Sequence, residues 1–101
     1  MSDLLEQSKA LASEHRLAIL EWLSDPWSHF SQQVTGDPRE IGVCVTLITE
    51  KLDMAQPTVS RHLEILRRAG FLTVKRIGRY AFFKRNEPEI AAYKEWINDC
   101  L

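Results

Sequence analysis

The chain has 101 residues, 45% hydrophobic and 27% charged, the length and balance of one soluble globular domain with one modest core and little interior left for a deep catalytic pocket. No apolar run approaches the roughly 18 residues that cross a bilayer, and the acidic start Met1-Ser2-Asp3-Leu4-Leu5-Glu6 lacks the basic and apolar regions of a signal peptide, so a cytoplasmic location is expected. The net charge of −1 is a cancellation: residues 55–86 carry eight basic side chains against the single carboxylate Glu64, a formal +7, and the remainder of the chain carries −8.

In chain order, Ser2 can cap a first helix running to Ala12, with Leu4, Leu5, Ser8, Leu11 and Ala12 at helical spacing. Ser13 caps a second helix, Glu14 to Ser24, whose buried side is predicted as Leu17, Ile19, Leu20 and Leu23, and Asp25-Pro26 stops it. Residues 25–40 read as a long connection with one irregular helical turn, its aromatics tucked against the core. Thr46 is expected to cap a short helix from Leu47 to Leu52, and Asp53-Met54-Ala55 forms a tight turn. A longer helix follows from Gln56 to Ala69, with Pro57 in its first turn and Gly70 as the residue that ends it. Leu72–Arg76 and Arg79–Arg85 are strand-like runs around an Ile77-Gly78 turn, and Asn86 with Glu89 makes a capping box for a final helix. The expected fold is mainly α with a small β-hairpin: a winged helix-turn-helix of about five helices and a two-stranded wing, as one domain over residues 1–101. Residues 46–69 form its helix-turn-helix, 72–85 its wing, and 1–24 with 87–101 its dimerisation helices.

On a wheel at about 100° per residue, Val59, His62, Leu63 and Leu66 share the core side of the long helix, and a structural role is expected of His62. Gln56, Pro57, Thr58, Ser60 and Arg61 fall on the solvent side near its N-terminus. The major groove admits an α-helix, whose N-terminal residues contact base edges: Gln suits adenine, Arg suits guanine, and Ser or Thr suits bases or phosphate. Lys75, Arg76 and Arg79 flank Gly78, where a basic hairpin tip can reach phosphates or the minor groove. With Thr46 at the start of the preceding helix, these nine residues are the candidate DNA contacts, and double-stranded DNA is the expected partner. Tyr80, Phe82 and Phe83 follow on the returning strand, the two Phe residues reading as core. A winged-helix module that binds only protein is the alternative reading, against which the basic segment and the short polar donors argue. No Gly-rich phosphate loop, nucleophile elbow or flanked carboxylate pair supports an enzyme.

The run Thr58-Val59-Ser60-Arg61-His62-Leu63-Glu64-Ile65-Leu66-Arg67-Arg68-Ala69-Gly70-Phe71-Leu72, followed by Arg76-Ile77-Gly78-Arg79-Tyr80, resembles the signature of the ArsR/SmtB-type bacterial repressors, and His15-Arg16-Leu17-Ala18-Ile19-Leu20 resembles their second helix. The resemblance covers most of the chain. It implies a homodimer joined through the first and last helices, bound to an imperfect palindrome and released by an inducer, often a metal ion. Metal-sensing members carry two cysteines one residue apart before the turn, whereas here the stretch is Val43-Cys44-Val45-Thr46. A lone thiolate makes no soft-metal site without other ligands. Cys44 is therefore a weak metal candidate and is expected to be a small buried hydrophobe; Cys44 and Cys100 form no disulfide framework. The residues specify neither a cofactor nor an inducer. Leu4, Leu5 and Leu11 at one end, with Ile90, Tyr93, Trp96 and Ile97 at the other, supply more apolar surface than a protomer of this size hides and are the expected dimer contacts.

Overall fold

The computed structural model describes residues 2–101; the side chain of Ser2, expected to cap the first helix, lies outside that description. Six helices and three strands follow in the order α1 (Ser2–Ala10), α2 (Glu14–Ser24), α3 (Pro26–Phe30), β1 (Val43–Cys44), α4 (Val45–Leu52), α5 (Gln56–Arg68), β2 (Leu72–Ile77), β3 (Tyr80–Arg85) and α6 (Glu87–Cys100). The helix-turn-helix and hairpin stand where the sequence puts them, and the strand β1 is added. α1 stops two residues before the expected Ala12, because the N–H groups of Leu11 and Ala12 turn back to Ser8 O and Lys9 O.

Ser13 caps α2 as predicted, its hydroxyl accepting from the Arg16 N–H. Ile19, Leu20 and Leu23 are buried, but Leu17 is 50% exposed. At about 100° per residue it lies roughly 110° from the mean direction of the other three, which takes it off the core face. The core gathers these residues with Phe30, Val43, Ile48, Val59, Leu63, Leu66, Phe71 and Ile90.

The connection is more ordered than its composition suggests. Its helical turn is α3, which buries Phe30 completely and sets it edge-on to Trp22 at 6.4 Å between centroids. Trp27 stays outside, against expectation, with the Arg39 guanidinium 4.5 Å from its ring; Val34 is 95% exposed. Gln33 fastens the segment. Its Nε2 donates to Gly36 O and Gly42 O, both at 3.0 Å, and its Oε1 accepts from the Cys44 N–H at 2.8 Å. Those bonds bring Val43 and Cys44 alongside β3.

The sheet is antiparallel in the order β1-β3-β2, with Val43 opposite Phe83 and Cys44 opposite Phe82. β3 is thus the central strand, which explains two consecutive buried phenylalanines: Phe83 joins the main core, and Phe82 points to the other face with Cys44. The hairpin turn is Gly78-Arg79, one residue later than expected, with Ile77 paired to Tyr80. The β-branched Ile77 stays in the strand and Gly78 takes the positive φ of 61° at the first turn position, the pattern of a II′ turn.

Residues 69–71 join the elements. Gly70 has φ 90°; its N–H donates to Arg67 O, and the Phe71 N–H reaches back to Leu66 O, a Schellman closure of α5. Gln7 of α1 is buried and donates to both Ala69 O and Glu89 Oε1, each at 3.0 Å. The Asn86 N–H donates to Phe71 O. Asn86 caps α6 through the Glu89 N–H, but the second half of the expected capping box is missing, because Glu89 takes its bond from Gln7 and the Asn86 N–H is already used.

Gly42 and Gly78 provide a test of these turns. A Cβ on Gly42 (φ 94°) would stand 2.6 Å from Phe83 O, whereas one on Gly78 meets nothing within 4 Å. Gly42→Ala is expected to cost about 2–5 kcal/mol and Gly78→Ala only the backbone penalty of about 1–2 kcal/mol. Urea denaturation of both variants checks this; equal losses would contradict the close approach at Gly42.

Candidate nucleic-acid interface

α4 and α5 are joined by a turn whose first residue, Asp53, is left-handed (φ 54°, ψ 49°) and donates its N–H to Thr49 O and Glu50 O. α4 starts at Val45 with Cys44 in the cap position, so Thr46 is not the cap expected of it but an exposed residue of the first helical turn. On α5, Val59, Leu63 and Leu66 are fully buried. Gln56, Pro57, Thr58, Ser60 and Arg61 are all exposed, as the wheel predicts. No side chain caps α5, Pro57 has no N–H, and Thr58 and Val59 both donate to Ala55 O. Among the described residues, the backbone donor left open in that turn is the Gln56 amide.

Lys75, Arg76 and Arg79 are exposed on the wing. Alternation along β2 separates the first two. Arg76 faces the helix side, and with Gln56, Ser60, Glu64 and Arg79 it lines a groove of about 370 Å³ between α5 and the sheet. Lys75, opposite Phe82, lies on the far face. The fold therefore brings Gln56 and Ser60 of the long helix together with Arg76 and Arg79 of the wing. Glu64, the one carboxylate of the basic segment, is held below its usual range by its hydrogen bonds to Arg67, reinforced by the charges of Arg67, Arg68 and Arg76. It thus remains an anion, paired to Arg67 at 2.6 Å.

His62 is half-buried on the inward side, with Nδ1 3.0 Å from Arg16 Nη1 and its ring centroid 5.5 Å from that of His15. Burial, then the charges of Arg16, His15 and Arg61, push its pKa below the ordinary 6.5. The structural role expected of it is thus explained by a partner the sequence did not reveal. Arg16 looks like an ordinary polar residue of α2, and its only signal is its position one turn before Ile19 and Leu20.

Cys44 is buried and Cys100 exposed. Among the described residues, no three His, Cys, Asp or Glu side chains gather as metal ligands. No described helix is long and apolar enough to cross a membrane.

At the ends of the chain, α1 and α6 are bonded to each other by the Gln7–Glu89 contact and by Ser8 Oγ to Tyr93 OH at 2.7 Å. Of the predicted dimer contacts, Leu5 is 58% exposed, and Leu4, Trp96 and Ile97 are half-buried. Leu11 and Tyr93 lean on the core, Tyr93 edge-on to Phe71 at 5.3 Å. Ile90 is buried in the core of the protomer itself.

The sequence model of bacterial regulatory proteins of the arsR family matches residues 43–74, the span from β1 into the wing. The chain is 45% identical to the HTH-type transcriptional regulator YbzH of Bacillus subtilis, over 92% of this chain and 93% of that protein. It is 35% identical to the arsenical resistance operon repressor of Escherichia coli, over 90% of this chain and 65% of that one. Among solved structures, a homodimeric winged helix-turn-helix DNA-binding domain from Mycobacterium bovis superposes with a TM-score of 0.67 at 22% identity, covering 97% of this chain and 80% of that one.

The two thiols are expected to differ sharply in reactivity. In the native protein a disulfide reagent should modify Cys100 rapidly and Cys44 only at the rate of unfolding. Counting thiols released with and without denaturant checks this; equally fast reaction of both would show that Cys44 is open to solvent.

Proposed function

The chain belongs to the ArsR family of bacterial regulatory proteins, transcriptional regulators with a winged helix-turn-helix DNA-binding domain, and from that premise we propose that it is a homodimeric repressor that reads a palindromic operator with α5 and grips the flanking backbone with the wing. The observation that carries the reading is the convergence of Gln56 and Ser60 with Arg76 and Arg79 on one groove. Short donors at the front of α5 suit base edges, and the arginines beside them suit phosphate. Of the eight basic side chains of residues 55–86, Arg76 and Arg79 line that groove and Arg61 stands exposed on α5, cations suited to a polyanion, whereas Arg85 bonds Leu20 O and Glu87. Repression is supported by the likeness to the arsenical resistance operon repressor of E. coli.

Two-fold pairing supplies what one α5 lacks, a second reading helix about one DNA turn, roughly 34 Å, away. The exposed Leu5, with Trp96 and Ile97 on the neighbouring helix, is an apolar surface suited to that pairing. The mycobacterial neighbour is itself homodimeric.

Selection of bound sequences from random duplex DNA tests the reading, and variants sort its contacts. Arg61→Ala and Gln56→Ala are expected to cost about 1–3 kcal/mol each and to relax base preference, whereas Arg79→Ala weakens all duplexes alike. Uniform weakening by Arg61→Ala would mark it as a phosphate contact, and no enrichment at all would favour a protein-binding module.

The pairing has its own test. Deleting α6 would remove Ile90 from the core, so the informative change is the surface double variant Leu5→Glu with Ile97→Glu. It is expected to sediment as a folded monomer and to lose about 10²-fold or more in operator affinity. A variant that stays dimeric would move the interface elsewhere.

A further inference from the structure

Among the described residues, Arg16 is the one side chain of α2 that bonds both the end of α1 and the recognition helix. Its guanidinium spans three acceptors: Nε donates to Ala10 O at 2.6 Å, Nη2 to Lys9 O at 3.3 Å, and Nη1 lies 3.0 Å from Nδ1 of His62. The first two are carbonyls at the C-terminal end of α1, which a cation suits. The third bond fixes the state of the imidazole. A guanidinium has donors only and does not deprotonate, so Nδ1 must be the acceptor and the ring must be neutral, with its proton on Nε2.

We infer that Arg16 and His62 are positioning residues for DNA reading: they form a strut from the end of α1 to the inward side of α5, present while His62 is neutral and broken when it is protonated. This rests on the proposed DNA-binding function and adds the proton as an effector. Protonation would put an N–H on Nδ1 against the Arg16 N–H and leave two cations face to face. The charged groups that face His62 all oppose it, Arg16 and His15 from α2 and Arg61 from α5 itself. The α1 carbonyls offer no relief, because Arg16 already uses them. The residue next to His62 is Arg61, one of the proposed base contacts, so movement at His62 is felt at the reading surface. α1 also carries Leu5, so the strut joins the proposed pairing surface to the proposed reading helix.

The sign is distinctive. His62 has its folded value below 6.5, so the folded arrangement binds fewer protons than the open one. Its stabilisation is complete above the ordinary value and is lost as pH falls through the lowered one. A histidine that merely stood near DNA would do the opposite, adding a cation and tightening binding in acid.

The test uses the full chain and a duplex obtained by selection, at constant ionic strength. Between about pH 8 and about pH 5 the wild type is expected to lose about tenfold in affinity. His62→Asn, whose Oδ1 can accept from Arg16 but cannot be protonated, should lose about twofold or less over the same interval. Arg16→Ala should be weak at the higher pH already and flat below it. Nitrogen-15 NMR of the free protein should find His62 as the Nε2–H tautomer, titrating below the ordinary value. Binding that tightens in acid, a full drop retained by His62→Asn, or a proton on Nδ1 at high pH overturns the strut. If no duplex binds at pH 8, the DNA reading and the positioning role fall together, and the tautomer still reports whether the strut exists.

Discussion

The architecture depends on the reversal at Gly70. α5 must end abruptly, and the wing must begin alongside it, or the hairpin would point away from the surface that the helix presents. The left-handed φ of 90° and the paired bonds from Gly70 and Phe71 to Arg67 and Leu66 accomplish this within two residues. The same place is where the distant ends of the chain attach: Gln7 bonds Ala69 O, Asn86 bonds Phe71 O, and Tyr93 stacks edge-on against Phe71. The exit angle of the helix is therefore set by backbone bonds and held by α1 and α6 from behind.

Holding from behind is what leaves the front free. α5 uses Val59, Leu63 and Leu66 for packing, and α6 meets the protomer through Ile90 and Tyr93. Neither helix uses a residue proposed to touch DNA. The polar residues inside the fold follow the same division, with Gln7 and Gln33 saturating backbone groups at junctions, and no described buried side-chain N or O atom is left without a partner. A buried amide of this kind suits a junction because it donates and accepts at once.

Much of this was legible in the sequence. The apolar spacing of α5, Pro57 near its start, Gly70 at its end and the strand-like runs that follow are local signals, each with a local cause, and they located the helix-turn-helix and wing to within a residue or two. The exposed set on α5 came from the same periodicity. What escaped was non-local. β1 has only two residues, and nothing in Val43-Cys44 announces a strand until β3 lies beside it. With β1 unseen, the start of α4 was misplaced and Thr46 was given a cap's role. The exposure of Trp27 depends on how the connection folds back. Arg16 and Gln7 were missed for a related reason: each is an ordinary polar residue of a helix whose partners lie 46 and 62 positions away.

The clamp at Gln33 also bears on how chains of this architecture can diverge. Because Gln33 bonds to Gly36 and Gly42 and receives the Cys44 N–H, the two ends of the intervening loop are pinned close together, with Val34 at its exposed edge. Closing such a loop costs entropy that grows only logarithmically with its length, about 0.6 kcal/mol for each doubling. Insertions at that edge can lengthen the connection while the pinned ends keep β1, and hence the reading head, in register. The loop is thus a natural point of grafting, where sequence can be added without disturbing the two helices and the wing.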